Sequence, residues 1–172
     1  MTASLLPTRE ADFRRIFDKL LEGCQIIGPD WRYIYVNEAV AAQGRTTVAN
    51  LLGRTMMEVY PGIEQAPLFV ELQRCMSERV AVHFDNQFIF PDGMVGWFDL
   101  SVQPVPEGIL IFSEDISARK RAEQFFRLAV DSAPHGIVLT DESGKLLQAN
   151  PKACELFGYQ EDELIGMTVD KL

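Results

Sequence analysis

Ile109-Leu110-Ile111-Phe112-Ser113-Glu114-Asp115-Ile116-Ser117-Ala118-Arg119-Lys120-Arg121-Ala122-Glu123 holds the decisive change of period in this 172-residue chain. Its first four residues place apolar side chains on both faces of a strand, because successive strand side chains point to opposite sides. After Asp115-Ile116-Ser117 the composition switches to helix formers, and Ala122, Phe125, Phe126, Ala129 and Val130 recur at i, i+3, i+4, i+7 and i+8. That spacing lines one helix face and predicts a helical linker. Immediately upstream, strands over Val80 to Phe90 and Val95 to Val102, turned by Pro91-Asp92-Gly93 and by Pro104 to Gly108, complete an antiparallel three-strand meander ending in Ile109 to Glu114. Trp97 lies on one face of the middle strand, and Phe98, Leu100 and Val102 lie on the other. A sheet apolar on both faces needs cover on both.

Toward the N-terminus, Phe13, Ile16, Phe17, Leu20 and Leu21 form a second helical stripe, capped by Thr8 and stopped by Gly23. Cys24 to Ile27 and Tyr33 to Val36 read as a hairpin about Gly28-Pro29-Asp30. Short helical pieces broken by Gly44 and Gly53 follow, then a longer helix around Ala66 to Glu78 whose stripe is Leu68, Leu72, Cys75 and Met76. The short helices can cover one face of the sheet. The N-terminal helix, or a second subunit, is left for the other.

The chain then begins again. Phe13, Arg14, Asp18, Gly23, Asn37, Gly53 and Thr55 recur as Phe126, Arg127, Asp131, Gly136, Asn150, Gly166 and Thr168, each 113 positions later and without a gap. The second copy repeats the hairpin, Gly136 to Thr140 and Leu146 to Ala149, and the short helices, Pro151 to Phe157 and Glu161 to Ile165. It stops before any counterpart of the long helix and meander. Two strands are too few for independent stability, so residues beyond about 133 are expected to be poorly ordered or to borrow a surface from the first domain or a partner chain. The expected division is an N-terminal amphipathic helix over 1–23, a first domain over 24–115, a helical linker over 116–133 and half a second domain over 134–172.

A hydrophobic fraction of 47% with 24% charged residues fits a globular protein with a real core. The net charge of −9 argues against nucleic acid and against an anionic membrane surface. The one basic run, Arg119-Lys120-Arg121, sits among Glu114, Asp115 and Glu123 and reads as a solvated helix face. Cys24, Cys75 and Cys154 are odd in number with no close pair, so neither a disulfide framework nor a metal site is suggested. The N-terminal residues lack the apolar run of a signal peptide and no stretch reaches membrane-spanning length, so a cytoplasmic fragment is expected.

The order of elements, together with Tyr33-Ile34-Tyr35-Val36-Asn37, Leu52-Gly53-Arg54-Thr55 and the Asp115-Ile116-Ser117-Ala118-Arg119-Lys120-Arg121 exit, resembles the PAS family over residues 13–172. Met57-Glu58-Val59-Tyr60-Pro61-Gly62 and Gly96-Trp97-Phe98-Asp99-Leu100-Ser101-Val102 are similar to a subfamily common in bacterial sensor kinases and diguanylate cyclases. Asn150-Pro151-Lys152-Ala153, Phe157-Gly158-Tyr159 and Glu163-Leu164-Ile165-Gly166 are close to the common family pattern. Arg45-Thr46 stands where Gly158-Tyr159 does, so the first copy is the more divergent. The resemblance implies an α+β fold, a five-stranded antiparallel sheet flanked by helices, enclosing a small-molecule pocket and feeding a helical linker toward an output domain. Four residues before Arg119, Asp115 is placed to accept the Ser117 amide and to pair with Arg119, as a plain helix cap would also do; the resemblance implies that Asp115-x-Ser117, where the family carries Asp-x-Thr, couples sheet to linker.

No nucleophile, base and oxyanion donor can be assembled from these residues, so no enzyme is expected in this fragment, and catalysis would belong to a parent histidine kinase or diguanylate cyclase. Haem is disfavoured because the long helix carries no His, and His83 and His135 read as structural. Covalent flavin photochemistry is disfavoured because neither Asn37-Glu38-Ala39 nor Asn150-Pro151-Lys152-Ala153-Cys154 supplies a Gly-x-Asn-Cys-Arg-Phe motif. The cofactor is therefore unknown. The candidate pocket comprises Met56, Met57, Tyr60, Phe69, Leu72, Met76, Phe84, Phe88, Phe98 and Leu100, with Asn86 as a polar contact; the same residues could equally fill a closed core. The stripes Phe13, Ile16, Phe17, Leu20, Leu21 and Ala122, Phe125, Phe126, Ala129 are expected to form a homodimer. Two functions stay open: a ligand-binding or partner-binding sensor, and a ligand-free dimerisation and relay element.

Overall fold

The computed structural model describes residues 15–90 and 92–171; Phe13 of the N-terminal stripe and its expected cap Thr8 lie outside them. In the first unit, β1 (Gly23–Ile27), β2 (Tyr33–Val36), β3 (Val82–Ile89), β4 (Val95–Val105) and β5 (Gly108–Asp115) form one antiparallel sheet in the order β2-β1-β5-β4-β3. The first strand thus pairs with the last, Cys24 opposite Phe112 and Ile26 opposite Leu110. Helices α1 (Glu38–Gln43), α2 (Val48–Leu51), α3 (Met56–Val59) and α4 (Pro67–Glu78) connect β2 to β3. The architecture is α+β, helices flanking a five-stranded antiparallel sheet.

Strand alternation selects Phe98, Leu100, Val102, Ile109 and Ile111 for the inner face, where they join Val40, Leu51, Met56, Leu68 and Leu72 from the helices in one buried cluster. Each fully buried Leu or Ile contributes about 1.5–3 kcal/mol relative to exposure. On the outer face Ile26, Trp97, Leu110 and Phe112 are half-buried. Phe17 supplies part of their cover: its ring centroid lies 6.5 Å from Phe112 and 6.3 Å from Tyr35.

Two boundaries differ from expectation for physical reasons. Helical backbone in the N-terminal segment ends at Phe17, and Gly23 opens β1, because the Asn37 carboxamide takes the Phe17 and Glu22 carbonyls (3.0 and 2.9 Å) that a longer helix would use. Strand β4 runs through Pro104 to Val105. β3 begins at Val82 opposite Val102, so residues 103–105 pair with β5 alone and the side of Pro104 that lacks an N–H has no strand to bond.

The chain divides after Ser117. In the second unit, the body of α5 (Ser117–Asp131) is followed by a two-stranded sheet, β6 (Val138–Thr140) and β7 (Leu146–Ala149), and by α6 (Pro151–Phe157) and α7 (Glu161–Leu164). Leu146, Ala149, Ala153 and Leu164 are buried together, with Val138, Cys154, Phe157 and Met167 packed on them. These residues therefore have a small interior of their own, where poor order or a borrowed surface was expected. Asn150 explains it by tying the unit together from inside.

The 113-residue repeat holds bond for bond. Asn37 Oδ1 accepts the Cys24 and Val40 amides (3.0 and 3.1 Å) while its Nδ2 donates to Phe17 and Glu22. Asn150 Oδ1 accepts the Ile137 and Ala153 amides (2.8 and 2.9 Å) while its Nδ2 donates to Val130 and His135 (2.9 and 3.0 Å). Each buried Asn joins a preceding helical segment, a strand and the helix it caps, using all four of its bonding positions.

Candidate functional site

Between the inner face of the sheet and helices α1, α3 and α4 lies a cavity of about 100 Å³. Its apolar wall includes Met56, Leu68, Leu72, Phe90, Phe98 and Ile111. Its polar wall is Gln25, Tyr33, Gln43, Tyr60, Asn86 and Ser113. Gln43 and Ser113 satisfy each other: the Ser113 hydroxyl donates to Gln43 Oε1 (2.5 Å) and Gln43 Nε2 donates to the Ser113 carbonyl (2.9 Å). Among the described residues, no Asp, Glu, Lys, Arg, His or Cys lines the cavity. Burial pushes the Tyr33 phenol far up, with Tyr60 nearby adding to it, and burial also raises Tyr60, so both hydroxyls stay protonated.

Arg45 follows the lining residue Gly44 but does not itself line the cavity. It takes a left-handed backbone (φ 52°) at the position that Gly158 (φ 77°) occupies in the second copy, and its guanidinium lies 4.0 Å over the Phe90 ring and 2.6 Å from Asp92. These contacts offset the cost of a non-glycine residue in that conformation.

Of the expected pocket residues, the structure gathers Met56, Tyr60, Leu72, Asn86, Phe88, Phe98 and Leu100 around the cavity. Met57, Met76 and Phe84 pack half-buried against the core away from it, and Phe69 is buried against Trp31, with ring centroids 4.4 Å apart. Sequence reasoning missed Tyr33, Gln25, Gln43 and Ser113. Period-2 alternation along β1 and β5 would have put Gln25 and Ser113 on the inner face with Ile27 and Ile111, so that signal was present.

The exit from the sheet is built on β4. The Trp97 amide donates to Ser117 Oγ (2.9 Å), the Ile116 amide donates to the Trp97 carbonyl (2.9 Å), and the Ser117 amide donates to Asp115 Oδ1 (2.8 Å). Ser117 is 7% exposed, so this joint is inside the protein. Arg119 does not pair with Asp115; it lies 4.0 Å from Glu123, one turn along α5. The Asp115 carboxylate is turned back onto the first amide of the helix, and Arg119 takes the partner that i,i+4 spacing offers.

On the expected dimer stripes, Ile16 and Leu21 are exposed, Phe17 and Leu20 are half-buried, and Ala122, Phe125, Phe126 and Ala129 are exposed. His83 lies on the outer face, 3.3 Å from Asp99. Burial, with Asp18 adding to it, pushes the Cys24 thiol up to about 11, the behaviour of a structural cysteine. Among the described residues no helix is long and apolar enough to cross a membrane, and no group of three or more His, Cys, Asp and Glu could hold a metal.

Comparison with known proteins puts these features in a family. No curated protein matches the chain significantly. Among solved structures, an RNA-binding light-oxygen-voltage receptor matches with a TM-score of 0.56 at 20% identity, over 75% of this chain and 40% of its own. A PAS domain from Colwellia psychrerythraea matches with a TM-score of 0.55 at 14% identity, over 65% of this chain and 100% of its own. A domain of a sensory box sensor histidine kinase/response regulator from Geobacter sulfurreducens gives 0.52 at 19% identity, over 62% of this chain and 94% of its own. At these identities the likeness shows the fold. Two family models, both described as the PAS fold, match residues 17–121 and 124–171. The sheet order, the helical cover and the paired Asn37 and Asn150 hubs fit those matches: the chain belongs to the PAS family, with one copy followed by the start of another.

Proposed function

We propose that the first PAS copy is a sensory module that takes a small ligand in its cavity and passes the resulting shift through Trp97, Ile116 and Ser117 into α5. One observation supports this most: Phe98 lines the cavity, and its chain neighbour Trp97 holds the first turn of α5 by two hydrogen bonds. A side chain displaced at Phe98 moves the same backbone that anchors Ser117, so occupancy and exit geometry share one mechanical element. Asp115 and Ser117 carry the relay, while Arg119 supports the helix beyond it. The module works on the cytoplasmic side of a bacterial signalling protein, as a homodimer through the exposed stripe of α5, and its output is a histidine kinase or diguanylate cyclase elsewhere in the parent chain. RNA binding, named for one structural neighbour, finds no support in a net charge of −9.

A ligand-free dimerisation and relay element is the second reading, and the small volume of the cavity favours it. A thermal-shift screen separates the two, because binding to the native state raises the melting temperature by mass action. The sensory reading predicts saturable hits in a metabolite panel. A panel without a hit contradicts it.

A further inference from the structure

The Tyr33 residue is only 3% exposed and lines the cavity, yet its hydroxyl makes no hydrogen bond with any described residue. The Tyr60 hydroxyl and the Asn86 and Gln25 amides of the same wall also have no hydrogen-bond partner among the described residues. Among the described residues no fully buried side-chain nitrogen or oxygen lacks a partner, so these groups face the open space of the cavity and keep their bonding capacity for whatever enters it. Every group offering that capacity is neutral, and no charged side chain among the described residues lines the cavity. A carboxylate, phosphate or ammonium entering it would lose hydration with no lining ion to pair. Size sets the second limit. An apolar cavity of ~150 Å³ accommodates a benzene-sized guest, so about 100 Å³ takes a guest no larger than that, roughly four to six heavy atoms, before the wall moves.

We propose that the cavity selects small uncharged molecules with a branched or cyclic apolar body and one acceptor oxygen, an alcohol, ketone or amide, which receives the hydroxyl protons of Tyr33 and Tyr60 while the body packs on Leu72, Phe98 and Ile111. This rests on the sensory reading above and gives it a chemical class. Gly44 is part of the same design: a Cβ there would lie 2.5 Å from the Tyr60 hydroxyl and take the space beside it.

The test is an NMR titration of the whole chain at pH 7 with three probes of nearly equal shape: isobutyramide, isobutyrate and isobutylammonium. The expected result is saturable shifts of Phe98 and Ile111 with isobutyramide at millimolar concentration, and at least tenfold weaker binding of both ions. Tyr33→Phe should weaken isobutyramide binding about fivefold or more without lowering stability, since the lost hydroxyl holds nothing in the protein; Gly44→Ala should weaken it as well. Isobutyrate or isobutylammonium binding as tightly as the amide, or Tyr33→Phe binding unchanged, overturns the assignment of class and leaves the sensory reading intact. Saturation by none of the three overturns the assignment too; a metabolite hit in the thermal-shift screen would then keep the sensory reading, and a blank screen would remove both.

Discussion

At the scale of single residues, the two asparagines organise each copy more than any hydrophobic side chain does. Asn37 is 1% exposed and Asn150 is buried completely, and each supplies two acceptor and two donor bonds to backbone groups. Truncation of Asn37 leaves the buried Cys24 and Val40 amides without their partner, each worth about 1–3 kcal/mol, and takes one acceptance from each of the part-buried Phe17 and Glu22 carbonyls. Partial relaxation and entering water recover some of that, so Asn37→Ala should destabilise the first unit by about 3 kcal/mol or more in urea denaturation. A loss below about 1 kcal/mol would show that the hub is dispensable. The hub also explains why helical backbone in the N-terminal segment ends at Phe17, since the Asn37 carboxamide takes the carbonyls that would continue it.

At the scale of elements, the meander was the most legible part of the sequence. The run from Phe98 to Val102 alternates, the run Ile109 to Phe112 is continuously apolar, and turn residues separate them, so three strands could be placed without knowing their partners. The pairing of β1 with β5 was not legible, because no local pattern carries a contact between residues 24 and 112. The cavity was half legible for the same reason. Apolar residues of α3, β3 and β4 announced themselves by type, whereas Gln25 and Ser113 are polar, so only strand alternation put them on the inner face, and Gln43 enters the wall through the docking of α1. Asp115 and Arg119 looked like a pair at i,i+4, but helix geometry begins at Ser117 and puts Glu123 opposite Arg119 instead. The turn between β4 and β5 gives this scale its prediction. Gly108 has φ 150°, and a Cβ there would lie 2.0 Å from the Ile27 carbonyl oxygen on the neighbouring strand. Backbone cannot give way as a flexible side chain can, so Gly108→Ala should cost about 2–4 kcal/mol in stability. An unchanged melting temperature would mean that the hairpin finds another turn.

At the scale of the molecule, the first copy joins a cavity to an exit through adjacent residues of one strand, and α5 beyond the exit exposes Phe125 (76%), Phe126 (52%) and Leu128 (68%). A helix face that apolar is costly to leave wet, so light scattering should give a dimer, and Phe125→Glu with Phe126→Glu should give a monomer of unchanged fold. A monomer of the unaltered chain at high concentration would contradict dimerisation. The central claim, that cavity and linker move together, is tested most directly by following the backbone amides of Trp97, Ile116 and Ser117 by NMR while the cavity is titrated with isobutyramide. The account predicts that they shift in parallel with Phe98, and that in Ser117→Ala the Phe98 signal still responds while residues 118–131 fall silent. Saturation at Phe98 with Trp97, Ile116 and Ser117 unmoved would contradict it.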